Sequence, residues 1–369
     1  MQSAYFDPIR GRLVSALQSF LRVKSAELAR VNPMGAEAVR RLLEFSVRGK
    51  MMRGCLVHLG WELARTKAAG SPGDGAPGDA AVTTVGAAME LFQSGLLVHD
   101  DIMDRDAVRR GQPSMFRQYE EEAERDGSAD PAHVGQALGI CAGDVAYFMA
   151  FELLAGGDVP AAVAARVLGL CARELSAVGV AQMQDVAWGA SARPVGSQQI
   201  LAMYTWKTGR YSFSLPLLAG AALAQGPADR HAVQLAAGLE ACGEGLGVLF
   251  QLRDDELGIF GTEEQTGKPL ASDLREGKKT LLVSLLMEES TPAERRRLQD
   301  ILGNPGCTAE DLDFVRRLAG SATVRRRMRA LVDDLTAQAE RAIRELPTGA
   351  EEARAALRSL LDFTTARSQ

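Results

Sequence analysis

The stretch Leu97-Val98-His99-Asp100-Asp101-Ile102-Met103-Asp104-Arg105-Asp106-Ala107-Val108-Arg109-Arg110-Gly111 closes an apolar, helix-compatible run from Val82 to Val98. On a helix, Asp100 and Asp104 share one face a turn apart, with Asp101 about 100° round. Carboxylates that close repel one another unless a divalent ion sits between their oxygens. Hard oxygen donors with room for water and phosphate suit Mg²⁺ better than zinc. A solvated acidic helix end is the alternative for a lone D-D-x-x-D, and the rest of the chain decides between them.

Composition narrows the classes. Of 369 residues, 46% are hydrophobic and 24% charged, enough apolar surface for a large core. Ala and Leu dominate over β-branched residues, which favours helix. A net charge of −5 gives no reason to expect nucleic acid, so an anionic ligand must meet locally placed Lys and Arg. Five cysteines are scattered without a C-x-x-C pair, as in a reduced, cytoplasmic protein. No signal peptide is visible, and no uninterrupted apolar run nears the ~20 residues of a membrane span, so stable membrane insertion is not expected.

Helical spacing recurs along the chain: 9–30, a stretch to about Val47, 55–64, 81–103, 134–155, 160–188, 197–224, 229–258, 279–289 and 292–302. A charged amphipathic pair near 308–344 and 350–366 ends it. Segments 66–80 and 120–133 read as loop insertions. Nothing alternates long enough to build a sheet. The expected fold is all-α: residues 1–369 as one domain, a bundle of ten or more helices around a central cavity.

A second acidic helix end, Phe250-Gln251-Leu252-Arg253-Asp254-Asp255-Glu256-Leu257-Gly258, lies 154 positions on, from Asp100 to Asp254. The two ends are expected to face each other across one cavity. Separated cations accompany them: Lys50 and Arg53 in a glycine-bounded turn, Lys207-Thr208, Thr266-Gly267-Lys268-Pro269, and Ser272-Asp273-Leu274-Arg275-Glu276-Gly277-Lys278-Lys279-Thr280. Carboxylates that bridge metals to phosphate, with fixed cations neutralising the remainder, describe a diphosphate clamp.

These segments, with Gln182-Met183-Gln184-Asp185, occur in the order of a trans-isoprenyl diphosphate synthase of the polyprenyl synthetase family, which the chain resembles from Gly49 to Thr280. The resemblance implies that Asp100, Asp101 and Asp104 bind Mg²⁺ on an allylic diphosphate, and that Asp254 and Asp255 hold a further ion, about three in all. It assigns Arg109, Lys207 and Lys268 to the allylic diphosphate, and Lys50, Arg53, Gln93 and Arg110 to isopentenyl diphosphate. Thr208, Gln182 and Gln251 would lie near the developing cation, Asp185 would support the site, and Lys278 would close over the phosphates. It also implies a homodimer. The pattern is broken at Gly258, where an aspartate is usual, so metal affinity there is expected to suffer.

Such an enzyme ionises an allylic carbon–oxygen bond, then lets isopentenyl diphosphate attack head-to-tail. The proton is lost to the departing diphosphate, so no histidine base is needed. His99 is expected to be structural. The product should run back along its own helix past Leu96 and Gly95, where glycine leaves the way open. Phe92, about 5.4 Å further per turn, should form part of a floor near twenty carbons. Geranylgeranyl diphosphate is therefore the expected product, with farnesyl or longer chains as alternatives. A class I terpene cyclase and a regulatory subunit of a heteromeric synthase are the rivals. The first lacks its N-x-x-S/T-x-x-x-E triad here, and the second would be expected to lose an acidic motif.

Overall fold

The structure is a computed structural model describing residues 4–65, 78–156, 158–224, 229–262 and 271–365. The expected insertion at 66–80 falls largely outside them. The chain divides into two interleaved compact units. The first comprises Met1–Cys171, Pro216–Ala236 and Pro347–Ala356, and the second Ala172–Leu215, Ala237–Leu346 and Leu357–Gln369.

In the first unit the helices are α1 (Phe6–Leu28), α2 (Pro33–Val47), α3 (Met52–Ala64), α4 (Asp79–Met103), α5 (Met115–Arg125) and α6 (Pro131–Ala155). It also contains the start of α7 (Ala161–Gly189), most of α9 (Leu215–Ala224) and the start of α10 (Arg230–Phe260). Local chemistry sets the boundaries. Asn32 accepts from the Gly35 N–H ahead of Pro33, and Asp130 accepts from the His133 N–H ahead of Pro131. Asp130 thus starts α6, but the segment 120–133 is not all loop, because α5 runs to Arg125. The Glu and Arg run is the solvent face of a helix whose other face buries Met115, Phe116, Tyr119 and Ala123.

Among the described residues one hairpin interrupts the helices: β1 (Val108–Arg109) pairs antiparallel with β2 (Gln112–Pro113), Arg109 opposite Gln112. Its two turn residues, Arg110 and Gly111, have φ of 54° and 70°, as a primed two-residue turn requires.

The second unit holds the rest of α7 and α10, with α8 (Ser197–Tyr204), a π-helical segment (Thr205–Ser214) and the single turn α11 (Ser272–Arg275). Its other helices are α12 (Leu281–Glu289), α13 (Pro292–Ile301), α14 (Ala309–Ala319), α15 (Ala322–Glu345) and the end of α16 (Glu351–Thr365). Ile200, Tyr204, Leu252, Leu274, Leu281 and Leu285 belong to its core. The π segment breaks the single helix expected over 197–224, and Lys207-Thr208 falls inside it. A Cβ on Gly247 of α10 would come 2.2 Å from Gly209 Cα, so a bare backbone at Gly247 lets that segment lie on α10.

By length and composition alone, α4, α6 and α10 are long and apolar enough to cross a membrane. This corrects the expectation drawn from uninterrupted runs, since single polar residues such as Glu90 break a run without much lowering its average. The most apolar window of α4 is 78% buried within the protein, against 39% for α6 and 44% for α10.

The crossing of α3 and α9 allows no side chain at Gly220, whose Cβ would stand 1.9 Å from the Val57 carbonyl oxygen. Gly220→Ala is expected to cost about 1–3 kcal/mol in thermal denaturation, and an unchanged melting temperature would contradict this packing.

His58, on α3, is 2% exposed, and burial lowers its pKa to about 4. An unfolded histidine titrates near 6.5, so the unfolded chain takes up the proton first as pH falls. Stability should fall between about pH 6.5 and 4, by up to roughly 3 kcal/mol from this residue. Urea denaturation at pH 7 and pH 5 should show a larger loss in wild type than in His58→Asn.

Candidate active site

At the end of α4 the Asp104 N–H still bonds the Asp100 carbonyl at 2.8 Å. Arg105 then enters the left-handed region with φ of 58°, and the Asp106 N–H closes on the Asp101 carbonyl, also at 2.8 Å. The hairpin brings the chain back over this end. Arg109 Nε donates to Asp101 Oδ1 at 2.6 Å and its Nη2 to Asp106 Oδ2 at 3.0 Å, with Asp100 Oδ2 at 3.8 Å.

Asp101 is fully buried, and burial pushes its carboxyl up to about 7 against the pull of Arg109. Burial also works against the Arg109 cation, but Asp101, Asp100 and Asp106 outweigh it and raise its pKa. Asp101 was expected to ligate metal. The structure instead seals it beneath Arg109 and leaves Asp100 and Asp104, one turn apart, half-buried.

No group of three His, Cys, Asp or Glu among the described residues is gathered as a metal site. Mg²⁺ keeps several waters and commonly takes one or two carboxylates plus substrate phosphates. The Asp100–Asp104 pair, i and i+4 on an accessible face, fits that donor set.

Arg110 makes different direct contacts from Arg109. Its Nη1 donates to the Phe45 carbonyl at 2.9 Å, and its guanidinium stands 5.4 Å from the Phe45 ring centroid. Met51, with φ of 52°, starts α3 from the glycine-bounded turn, where Lys50 is exposed. Here the structure adds Glu90, which the sequence reading missed. Its Oε1 accepts from the Gly54 N–H at 2.8 Å, while Arg53 and Arg110 act on it electrostatically against the burial that raises its pKa. Gln93, one turn on, is half-buried with an unbonded Oε1. A glutamate inside the apolar run Val82–Val98 was the available signal. His99 Nε2 lies 3.0 Å from the Ile140 carbonyl oxygen and 3.6 Å from Asp144 Oδ1.

In the second unit Asp254 is exposed and Asp255 is buried. Asp255 accepts from the Tyr204 hydroxyl and from Gln251 Nε2, and Thr208 Oγ1 donates to Gln251 Oε1 at 2.8 Å. Burial holds the Asp255 carboxyl well above the carboxylate range, despite those bonds. The expected second ligand is thus committed to protein donors. Lys207 pairs with Asp185 at 2.5 Å, and Gln182 is buried one turn before Asp185 on α7. Lys278 meets Glu276 at 2.9 Å and Asp273 at 3.5 Å. Lys268 lies outside the described residues.

Gly258 is not an empty place. A Cβ there would stand 2.7 Å from Asp273 Oδ2, so a carboxylate from α11 lies against the bare backbone where the usual aspartate would project.

A family model described as polyprenyl synthetase matches residues 36–318. The chain is 30% identical to the geranylgeranyl diphosphate synthase of Saccharolobus solfataricus over 287 residues, 76% of this chain and 78% of that protein. It is 34% identical to the (2E,6E)-farnesyl diphosphate synthase of Mycobacterium tuberculosis over 274 residues, 73% of this chain and 66% of that one. Its fold is similar to the geranylgeranyl pyrophosphate synthase of Corynebacterium glutamicum, solved with isoprenyl diphosphate and magnesium. The TM-score is 0.87 at 27% identity, covering 98% of this chain and 99% of that one. The class is a prenyltransferase with the all-α fold of isoprenyl diphosphate synthases. The chain belongs to the polyprenyl synthetase family, among its trans-isoprenyl diphosphate synthases.

Restoring the usual aspartate should harm this chain. Gly258→Asp would press a second carboxylate against Asp273, and like charges that close repel strongly. The Mg²⁺ concentration for half-maximal activity should rise roughly 3- to 10-fold. A lower requirement would show that the position was simply lacking a ligand.

Proposed function

We propose that the protein condenses isopentenyl diphosphate with an allylic diphosphate (dimethylallyl, geranyl or farnesyl) head-to-tail, making geranylgeranyl diphosphate. One observation carries the reading: adjacent arginines at the hairpin turn take different direct partners. Arg109 joins the acids Asp100, Asp101 and Asp106, while Arg110 joins Arg53 and Glu90. Two diphosphates need two separate sets of cations. The names of the solfataricus and Corynebacterium relatives favour the twenty-carbon product, and the farnesyl synthase relative keeps fifteen carbons as the alternative.

Asp100 and Asp104 would hold Mg²⁺ on the allylic diphosphate, and Asp254 a further ion. When bound, Mg²⁺ would neutralise the departing diphosphate. Arg109 is the cation for that leaving group beside Asp100, and Lys207, Lys268 and Lys278 belong to the same set by resemblance alone. Arg110, Arg53, Lys50 and Gln93 orient isopentenyl diphosphate so that its double bond meets the cationic carbon. By resemblance alone, Thr208, Gln251 and Gln182 would offer dipoles to that charge. Asp101 holds Arg109 in place, and Asp255 anchors Gln251 and Tyr204. Exposed Ile140 and Phe148 on α6 support a homodimer, which sedimentation velocity would test.

Incubating pure protein with Mg²⁺, isopentenyl diphosphate and each allylic diphosphate distinguishes the alternatives. A linear prenyl diphosphate marks a synthase, a hydrocarbon a cyclase, and no product a subunit requiring a partner. Arg110→Gln should raise KM for isopentenyl diphosphate roughly 10-fold or more while changing KM for the allylic substrate less than about 2-fold. Equal effects on both substrates would end the two-pocket reading.

A further inference from the structure

The run Arg316-Arg317-Leu318-Ala319-Gly320-Ser321-Ala322-Thr323-Val324-Arg325-Arg326-Arg327-Met328-Arg329 holds six arginines and no acid, in a protein whose net charge is −5. It spans the end of α14, the link Gly320-Ser321 and the first two turns of α15. Ser321 caps α15 by accepting from the Val324 N–H, so the two helices meet at a tight corner. Arg325 and the arginines after it lie beyond residues 36–318, the stretch that matches the family model.

Two of the six are committed within the protein. Arg316 Nε donates to the Ile259 carbonyl at 2.7 Å, which ties α14 to the last turn of α10, and Asp313 lies 3.6 Å from its Nη1. Arg327 pairs with Glu288 at 2.8 Å and Glu289 at 2.6 Å on α12. Arg317, Arg325, Arg326 and Arg329 are exposed and make no ion pair among the described residues. On α15, Val324 and Met328 are buried in the core, and the next exposed acid is Asp333, one turn past Arg329.

Stability does not explain this arrangement. Arg325 and Arg329 stand at i and i+4, Arg326 and Arg329 at i and i+3, spacings at which like charges destabilise a helix. Cations near a helix N-terminus also oppose its dipole. By contrast, α13 and α14 open with Glu294 and Asp311 in capping boxes. An exposed aromatic adjoins the corner as well. Phe260 directly follows the residue whose carbonyl Arg316 holds, and it is 50% exposed. Guanidinium groups bind phosphate oxygens, and a phenyl ring beside them suits the boundary between headgroups and acyl chains. Asp254 lies six residues before Phe260 on α10, about 9 Å of helix rise.

We propose that the corner of α14 and α15, with Phe260, docks the protein reversibly on an anionic phospholipid surface. The contact is peripheral: exposed arginines meet headgroup phosphates, and no helix enters the bilayer. The choice of a bilayer over nucleic acid rests on the synthase reading above, because a twenty-carbon prenyl diphosphate carries a tail that water rejects and a membrane receives.

Co-sedimentation with vesicles, without substrates, tests this. Wild type should sediment with vesicles of phosphatidylcholine mixed with phosphatidylglycerol, not with phosphatidylcholine alone, and high salt should release it. Replacing Arg325, Arg326 and Arg329 together by Gln should weaken binding roughly 100-fold, at about 5-fold per basic residue near an anionic surface. Replacing the same three by Lys should retain most of it. The Gln variant should keep wild-type activity on soluble substrates and melt no lower than wild type. Failure of wild type to bind mixed vesicles overturns the proposal, as does equal binding to neutral vesicles or undiminished binding by the Gln variant. Binding of a labelled DNA duplex without binding of mixed vesicles also overturns it. Should the Gln variant not fold, wild-type binding that persists in high salt overturns it instead. An inactive wild type that still binds mixed vesicles would overturn the synthase reading and leave the docking surface standing.

Discussion

The ion pair between Arg109 and the fully buried Asp101 is the interaction on which the first acidic motif depends. Burying either charge alone is costly, and removing one partner of such a pair commonly costs about 3–5 kcal/mol. The pair pins the hairpin to the end of α4. Because Arg109 is held there, the next residue is turned through a left-handed conformation and takes other direct partners. Asp101 is thereby consumed as an anchor, while Asp100 and Asp104, one turn apart, stay half-buried.

The second unit repeats this division of labour with different parts. Asp255 is buried and tied to Tyr204 and Gln251, and through Gln251 to Thr208 in the π-helical segment. Asp254, beside it, is exposed. In both motifs one aspartate of the adjacent pair is structural and the other is presented. A helix makes this natural, since residues i and i+1 lie about 100° apart and cannot share one environment.

Close approach between helices depends on residues without side chains. Gly209 and Gly247 bring the π segment onto α10, and Gly95 and Gly143 bring α4 onto α6. Such contacts are productive because something occupies the space each glycine yields: Tyr147 at Gly95, His99 at Gly143, and Asp273 at Gly258. A glycine in a motif therefore states only that the side chain is missing from that position. It says nothing of whether the space is open.

The sequence by itself determined the all-α class, most helix limits, the two acidic helix ends and the basic residues needed near them. Those signals are local: apolar spacing of a helical period, caps such as Asn32-Pro33, and charges one turn apart. It misread 120–125, where a charged helix face resembles a loop, and it could not register the π segment, whose geometry rests on Gly209 meeting Gly247. Only the tertiary structure decided that Asp101 lies beneath Arg109, that Glu90 stands beside Arg53 and Arg110, and that Tyr147 fills the space at Gly95. Each of these depends on a side chain from a different element, and no spacing within one segment encodes which distant residue will arrive. Helical periodicity is written along the chain, whereas burial and pairing are set by what packs against it.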